Sequence, residues 1–93
     1  MSDKDLMLYM VIERFRDGCG PAVYARFRER GRMMPDGLGY VNSWVEPTFE
    51  RCFQLMETED RSLFDEWTVN WDDLMEFEII PVISSTEARE LMS

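Results

Sequence analysis

The sequence predicts an α+β domain in which one four-stranded antiparallel sheet carries two helices on a single face, followed by a short C-terminal helix. Three observations carry the prediction. Apolar periodicity switches along the chain in the order strand, helix, strand, strand, helix, strand. The two middle strands are separated by a short turn, so they form an antiparallel hairpin. The stretch Arg51–Thr58 alternates strictly yet has no water face: Phe53 and Leu55 fill one phase, Cys52, Gln54 and Met56 the other. A strand at the edge of water shows a polar phase, so this one belongs in the middle of a sheet covered on both sides. The chain has 93 residues, which is one domain.

Taken in order, Met1–Asp5 reads as a disordered lead-in, and residues 6–93 as the domain. Leu6–Phe15 is the first strand, with Leu8, Met10 and Ile12 in one phase and Tyr9, Val11 and Glu13 in the other. Asp17-Gly18-Cys19-Gly20-Pro21 is turn chemistry, and Pro21 suits the first position of a helix. That helix spans Pro21–Met33, with Val23, Tyr24 and Phe27 on one stripe; its arginines, Arg26, Arg28, Arg30 and Arg32, read as a solvated face. Pro35-Asp36-Gly37 forces a reversal into the second strand, Leu38–Val45. Glu46-Pro47-Thr48 turns the chain into Arg51–Thr58. The second helix spans Arg61–Met75, with Leu63, Phe64, Trp67, Trp71 and Leu74 near a 3.6-residue period. Phe77–Ile83 is the fourth strand, and Pro81 assigns it to an edge, where a missing donor is harmless. Ser84 and Glu87 have capping-box spacing and start a helix over Ser85–Met92. The order is the split βαβ plan of ferredoxin-like domains, with the first and third strands central.

Bulk properties exclude several functions. A formal charge of −9 disfavours nucleic acid and anionic membrane, whose phosphates require a basic footprint. No stretch reaches the ~20 apolar residues of a membrane span. No histidine is present, which removes histidine bases, histidine metal sites and axial haem ligation. No cofactor is expected. Two cysteines, Cys19 and Cys52, make no disulfide framework, and Met1-Ser2-Asp3-Lys4-Asp5 is unlike a secretion leader, so a cytoplasmic setting is expected. Asp72, Asp73, Glu76 and Glu78 match no calcium-loop spacing and read as an acidic edge.

With both helices on one face, the assignment to that face is Leu8, Met10, Ile12, Val41, Val45, Phe53 and Leu55. The opposite face then carries Tyr9, Val11, Glu13, Tyr40, Asn42, Trp44, Cys52, Gln54, Met56, Ile80 and Val82. Such a face is too apolar for water, and two copies packed across a twofold axis would close it, giving a dimeric α+β barrel. Tyr9, Glu13, Tyr40, Asn42, Trp44, Gln54 and Met56 are then the candidate ligand-binding residues, in a cleft between sheet and partner. A buried Glu13 would have a raised pKa, and the Asn42 and Gln54 amides could donate to an oxyanion. Alternatively Asn42 and Gln54 satisfy each other and fix the dimer register, with Glu13 reaching solvent at the strand end. Trp67 and Trp71 read as core, and Cys52 as a buried, inert thiol.

The segments Leu8–Phe15, Arg30–Leu38, Ser43–Val45, Arg51–Glu57, Phe64–Trp67 and Phe77–Val82 together resemble the bacterial family known as domain of unknown function 3303. The resemblance covers nearly the whole chain. It implies a ferredoxin-like, dimeric barrel domain and no particular activity. A wider likeness, carried by Tyr40, Asn42 and Trp44, is to cofactor-free monooxygenases of the same architecture. The expected function is a homodimer binding a small organic ligand; the alternative is a monooxygenase for an activated aromatic, with Glu13 as base and Asn42 and Gln54 holding the enolate.

Overall fold

The structure, a computed structural model, describes residues 6–93; the lead-in read over Met1–Asp5 lies outside the described residues. The elements are β1 (Met7–Phe15), α1 (Gly20–Arg30), β2 (Leu38–Val45), β3 (Arg51–Thr58), α2 (Leu63–Thr68), β4 (Met75–Val82) and α3 (Ser85–Leu91). The sheet is antiparallel throughout, in the order β2-β3-β1-β4. β1 and β3 are therefore central, as the two-sided pattern of Arg51–Thr58 requires, and Pro81 sits in an edge strand.

Local chemistry sets the element ends. Helix α1 stops at Arg30 because Gly31 (φ 67°) and Met33 (φ 58°) leave helical space. Gly37 (φ 96°) turns the chain into β2 in a conformation that favours glycine, and a Cβ there would also press at 3.0 Å on the end of the Leu63 side chain. Helix α2 is far shorter than Arg61–Met75. Beyond Thr68 the chain continues in turns closed by i→i−3 bonds such as Asn70 N to Trp67 O (3.0 Å) and Trp71 N to Thr68 O (2.9 Å). The Asn70 carbonyl instead accepts from the Arg26 guanidinium at 2.9 Å, and its side chain donates to Met33 O at 3.1 Å. The turns still bring Trp71 into the core, so the helical spacing named the right residue on a wrong element. Ser84 caps α3, its Oγ accepting from Glu87 N at 3.0 Å; α3 buries no residue of its own.

The faces of the two central strands are the reverse of the expectation. Tyr9, Val11 and Glu13 of β1, with Cys52, Gln54, Met56 and Thr58 of β3, are buried beneath the helices. Tyr9 meets Phe64 edge-on at 5.0 Å, and Val11 and Met56 join Val23, Trp67 and Trp71 in one core. Leu8, Met10, Ile12, Phe53 and Leu55 point to the open side, with Ile80 and Val82 of β4 where they were expected. In β2 a bulge between Tyr40 and Asn42 changes phase: Tyr40, Ser43 and Val45 align with the buried phase of β3, Asn42 and Trp44 with the open one.

The reason for the reversal is physical. Alternation defines two faces without saying which meets the helices, and a one-residue change of phase exchanges every side chain. Both phases of β1 and β3 are apolar. The helix layer brings three large rings, Phe64, Trp67 and Trp71. They pack over the face of Tyr9, Val11 and Met56, with Tyr9 edge-on to Phe64, rather than over Phe53 and Leu55. The more apolar face is thereby left uncovered.

Candidate functional site

Between the central strands and α1 and α2 lies a cavity of about 110 Å3. Its floor is Glu13 from β1 and Cys52 and Gln54 from β3, with Ser43 and Val45 from β2. Val23, Tyr24 and Phe27 of α1, Arg32 of the α1–β2 loop, and Trp67, Trp71 and Met75 complete the wall.

Glu13 stands opposite Cys52 on one side and Phe77 on the other. It is 6% exposed. Burial in these surroundings raises its pKa from the ordinary 4.5 to about 7, against the opposing pull of a hydrogen bond from the Cys52 thiol and the charge of Arg32. The Cys52 thiol is pushed up to about 12, first by burial and then by the neighbouring Glu13 charge and hydrogen bond. The Tyr24 phenol is also raised, by burial and then by the same two groups. Gln54 is 5% exposed, and its Nε2 donates to Met56 Sδ at 3.3 Å, a weak acceptor.

Two indoles hold the remaining wall. Trp67 Nε1 and Trp71 Nε1 both donate to the Arg32 carbonyl, at 2.9 and 3.0 Å. Side chains four apart on a helix-like turn face the same way, so both indoles reach one acceptor. Thus the loop after α1 is pinned. The Arg32 guanidinium lies 3.7 Å from the centre of the Tyr40 ring and 5.0 Å from that of Phe27. Arg26 covers the Trp71 ring at 5.7 Å and forms a two-point pair with Asp73, both contacts 2.8 Å. The solvated-face reading therefore fails for Arg26 and Arg32, whose apolar surroundings and partners come from other elements. The acidic edge is likewise interlocked with arginines: Asp73 with Arg26, Glu76 with Arg16 and Glu78 with Arg14.

The residues singled out from sequence divide between the two faces. Glu13 and Gln54 line the cavity. Tyr9 and Met56 are on the same face but further along their strands, within the core. Tyr40 is on that side too, under Arg32, with its hydroxyl 2.7 Å from Ser43 Oγ. Asn42 and Trp44 are on the opposite face. Asn42 Oδ1 accepts from Ser43 N at 2.8 Å, and Trp44 is 52% exposed. Hence Asn42 and Gln54 neither satisfy each other nor flank one ligand, and Glu13 does not reach solvent. Glu13 and Gln54 instead line a cavity within the protomer, while Asn42 and Trp44 stay on the open face. Arg32, Tyr24, Phe27 and Ser43 were missed. Trp67 and Trp71 are core residues, as their spacing said, and cavity wall as well. The position of Arg32 depends on the path of a pinned loop, which leaves no periodic trace.

Among the described residues no helix is long and apolar enough to cross a membrane. The family model described as domain of unknown function (DUF3303) matches residues 7–93. No curated protein and no solved structure matches the chain.

Proposed function

The chain belongs to the DUF3303 family, and from that premise we propose that it is a homodimeric domain that binds a small organic molecule in the cavity between its own sheet and helices. The observation that carries the reading is the pair Glu13 and Gln54. Both are more than nine-tenths buried, and both face an aromatic-walled cavity rather than strong protein partners. A buried carboxyl and amide left with a thiol and a thioether gain most from a polar ligand. At about 110 Å3 the cavity has space for a body somewhat smaller than benzene, which an engineered cavity of ~150 Å3 accepts.

The dimer rests on the open face. Leu8, Met10, Ile12, Phe53, Leu55, Ile80 and Val82 form a continuous apolar centre, edged by Arg14, Arg51, Glu57 and Glu78. Four strands spaced ~4.8 Å apart and ~26 Å long cover roughly 500 Å2 in projection. Side-chain relief brings this toward the ~800 Å2 per partner of a standard interface. A twofold dimer would set this apolar centre against its own copy and close it from water, and α3 buries nothing in its own protomer. Both cysteines are free, which suits a reducing, cytoplasmic setting. The monooxygenase reading has less support, because its two amides point away from each other across the sheet.

Native mass spectrometry of the purified protein tests both parts. The expected spectrum is a dimer carrying a small-molecule adduct that is lost on collisional activation. A monomer at micromolar concentration removes the dimer. An adduct that persists in a variant with the cavity filled by Val23→Trp removes the cavity as its site.

A further inference from the structure

Resting on that cavity reading, we propose that the occupant is a small planar organic carboxylate, its flat body against the indole walls and its anionic group on the Arg32 guanidinium, and that Glu13 takes up a proton as it binds.

Arg32 carries the argument for charge. Arg14, Arg16, Arg26 and Arg51 each pair with an acid from another part of the chain. Arg32 lines the cavity, yet among the described residues its guanidinium has neither an ion-pair partner nor a hydrogen-bond acceptor. Tyr40 and Phe27 hold it by cation–π contact, which occupies none of its N–H donors with an acceptor. That planar fork matches a carboxylate in two-point geometry. A cationic occupant is disfavoured by the same contacts: the Phe27 and Tyr40 rings already hold Arg32, and the Trp71 ring holds Arg26.

Glu13 supplies the coupling. It shares the cavity with Arg32, so an anion seated on Arg32 is brought close to the Glu13 carboxyl in a poorly solvated space. Two negative charges there repel strongly, and the protonated carboxyl relieves the repulsion while offering a donor. The groups facing Glu13 are the Cys52 thiol from β3, the Tyr24 phenol from α1 and Arg32 from the loop. β4 presents Phe77, and the α2 region presents Trp67 and Trp71, none of which titrates. Cys52 and Tyr24 stay protonated through neutral pH, since both are shifted upward. Glu13 is then the one group in the set that changes charge near pH 7. If only its protonated form accepts the anion, apparent affinity falls roughly tenfold between pH 6 and pH 8.

The chain has three tryptophans, and their indole N–H signals in a 15N-labelled sample make the test. Trp67 and Trp71 report the cavity, and Trp44 reports the opposite face. The probes are furan-2-carboxylate, its neutral carboxamide and furfurylamine. The expected result is that the carboxylate moves Trp67 and Trp71 but not Trp44, with a Kd about tenfold weaker at pH 8 than at pH 6. Glu13→Gln should abolish that pH dependence. Arg32→Gln should weaken binding at least tenfold while the unliganded Trp67 and Trp71 signals, held by the backbone carbonyl, stay in place. Equal or tighter binding of the carboxamide or the amine overturns the anion and leaves the cavity reading standing. A carboxylate Kd that is the same at both pH values overturns the proton uptake. Failure of all three probes to move Trp67 or Trp71 overturns the cavity reading and this inference together.

Discussion

Replacing Glu13 by glutamine should stabilise the protein at alkaline pH and leave it nearly unchanged at acid pH. In the unfolded chain the carboxyl titrates near 4.5, and in the folded one near 7. The native state therefore holds a proton that the unfolded state has lost throughout that window. Stability contributed by the protonated form is complete below pH 4.5, falls as pH rises through 7, and is flat above. At ~1.36 kcal/mol per pKa unit, the rise from 4.5 to about 7 makes ionised Glu13 cost about 3 kcal/mol at pH 8. Glutamine keeps the shape and never ionises. The assay is urea unfolding of both proteins at pH 5, 6, 7 and 8, at one fixed protein concentration so that association contributes equally. With a urea dependence of ~1 kcal/mol/M for a chain of this size, the Glu13→Gln midpoint should exceed wild type by about 2–3 M at pH 8 and by little at pH 5. Groups remote from Glu13 cancel in the difference, and Cys52 and Tyr24, both shifted upward, stay protonated in the folded state across this range. Parallel profiles for the two proteins would refute the burial argument, because they would mean that Glu13 ionises in the folded state as freely as in water.

Four further outcomes follow from the same contacts. Met10→Arg, placed between Leu55 and Ile80 at the middle of the open face, should convert a dimer to a folded monomer by light scattering with unchanged far-ultraviolet circular dichroism. Trp67→Phe should cost about 1–2 kcal/mol in urea unfolding while Trp71 still serves the Arg32 carbonyl, and the double Trp67→Phe/Trp71→Phe variant should cost more than the sum, since that carbonyl is then orphaned. Cys52, buried and with its thiol pushed up to about 12, should resist a thiol reagent at pH 8 in the native protein and react only on unfolding, with Cys19 reacting first. Gln54→Leu should change stability by under ~1 kcal/mol, because the amide donates only to a thioether, yet abolish any shift of the Trp67 and Trp71 signals by a cavity ligand.

Much of the fold was legible from local pattern. The hairpin strands begin and end where the alternation does, at Leu38–Val45 and Arg51–Thr58. Pro81 marked an edge strand and Ser84 a helix start, because a missing donor and a side-chain cap are properties of single residues. Helix ends were less legible. Arg26 and Asn70 unwind the chain after Thr68 through contacts with α1 and its following loop, and residues so far apart leave no joint signature. The candidate site was half legible: Glu13 and Gln54 stood out as polar residues in an apolar phase, and they do line the cavity. Asn42 and Trp44 were grouped with them because alternation was carried through the β2 bulge, which changes the phase of the strand.

By itself, the sequence determined the order of elements, the central place of Arg51–Thr58 and the presence of a sheet with both faces largely apolar. These follow from period, turn chemistry and strand pairing, which act over a few residues. Only the tertiary structure decided which face the helices cover. Both phases of Arg51–Thr58 are apolar enough to be buried, so the free energy separating the two arrangements lies in how Phe64, Trp67 and Trp71 pack against Tyr9, Val11 and Met56 rather than against Phe53 and Leu55. That choice placed Glu13, Gln54 and Arg32 around one cavity and left the more apolar face of the sheet uncovered.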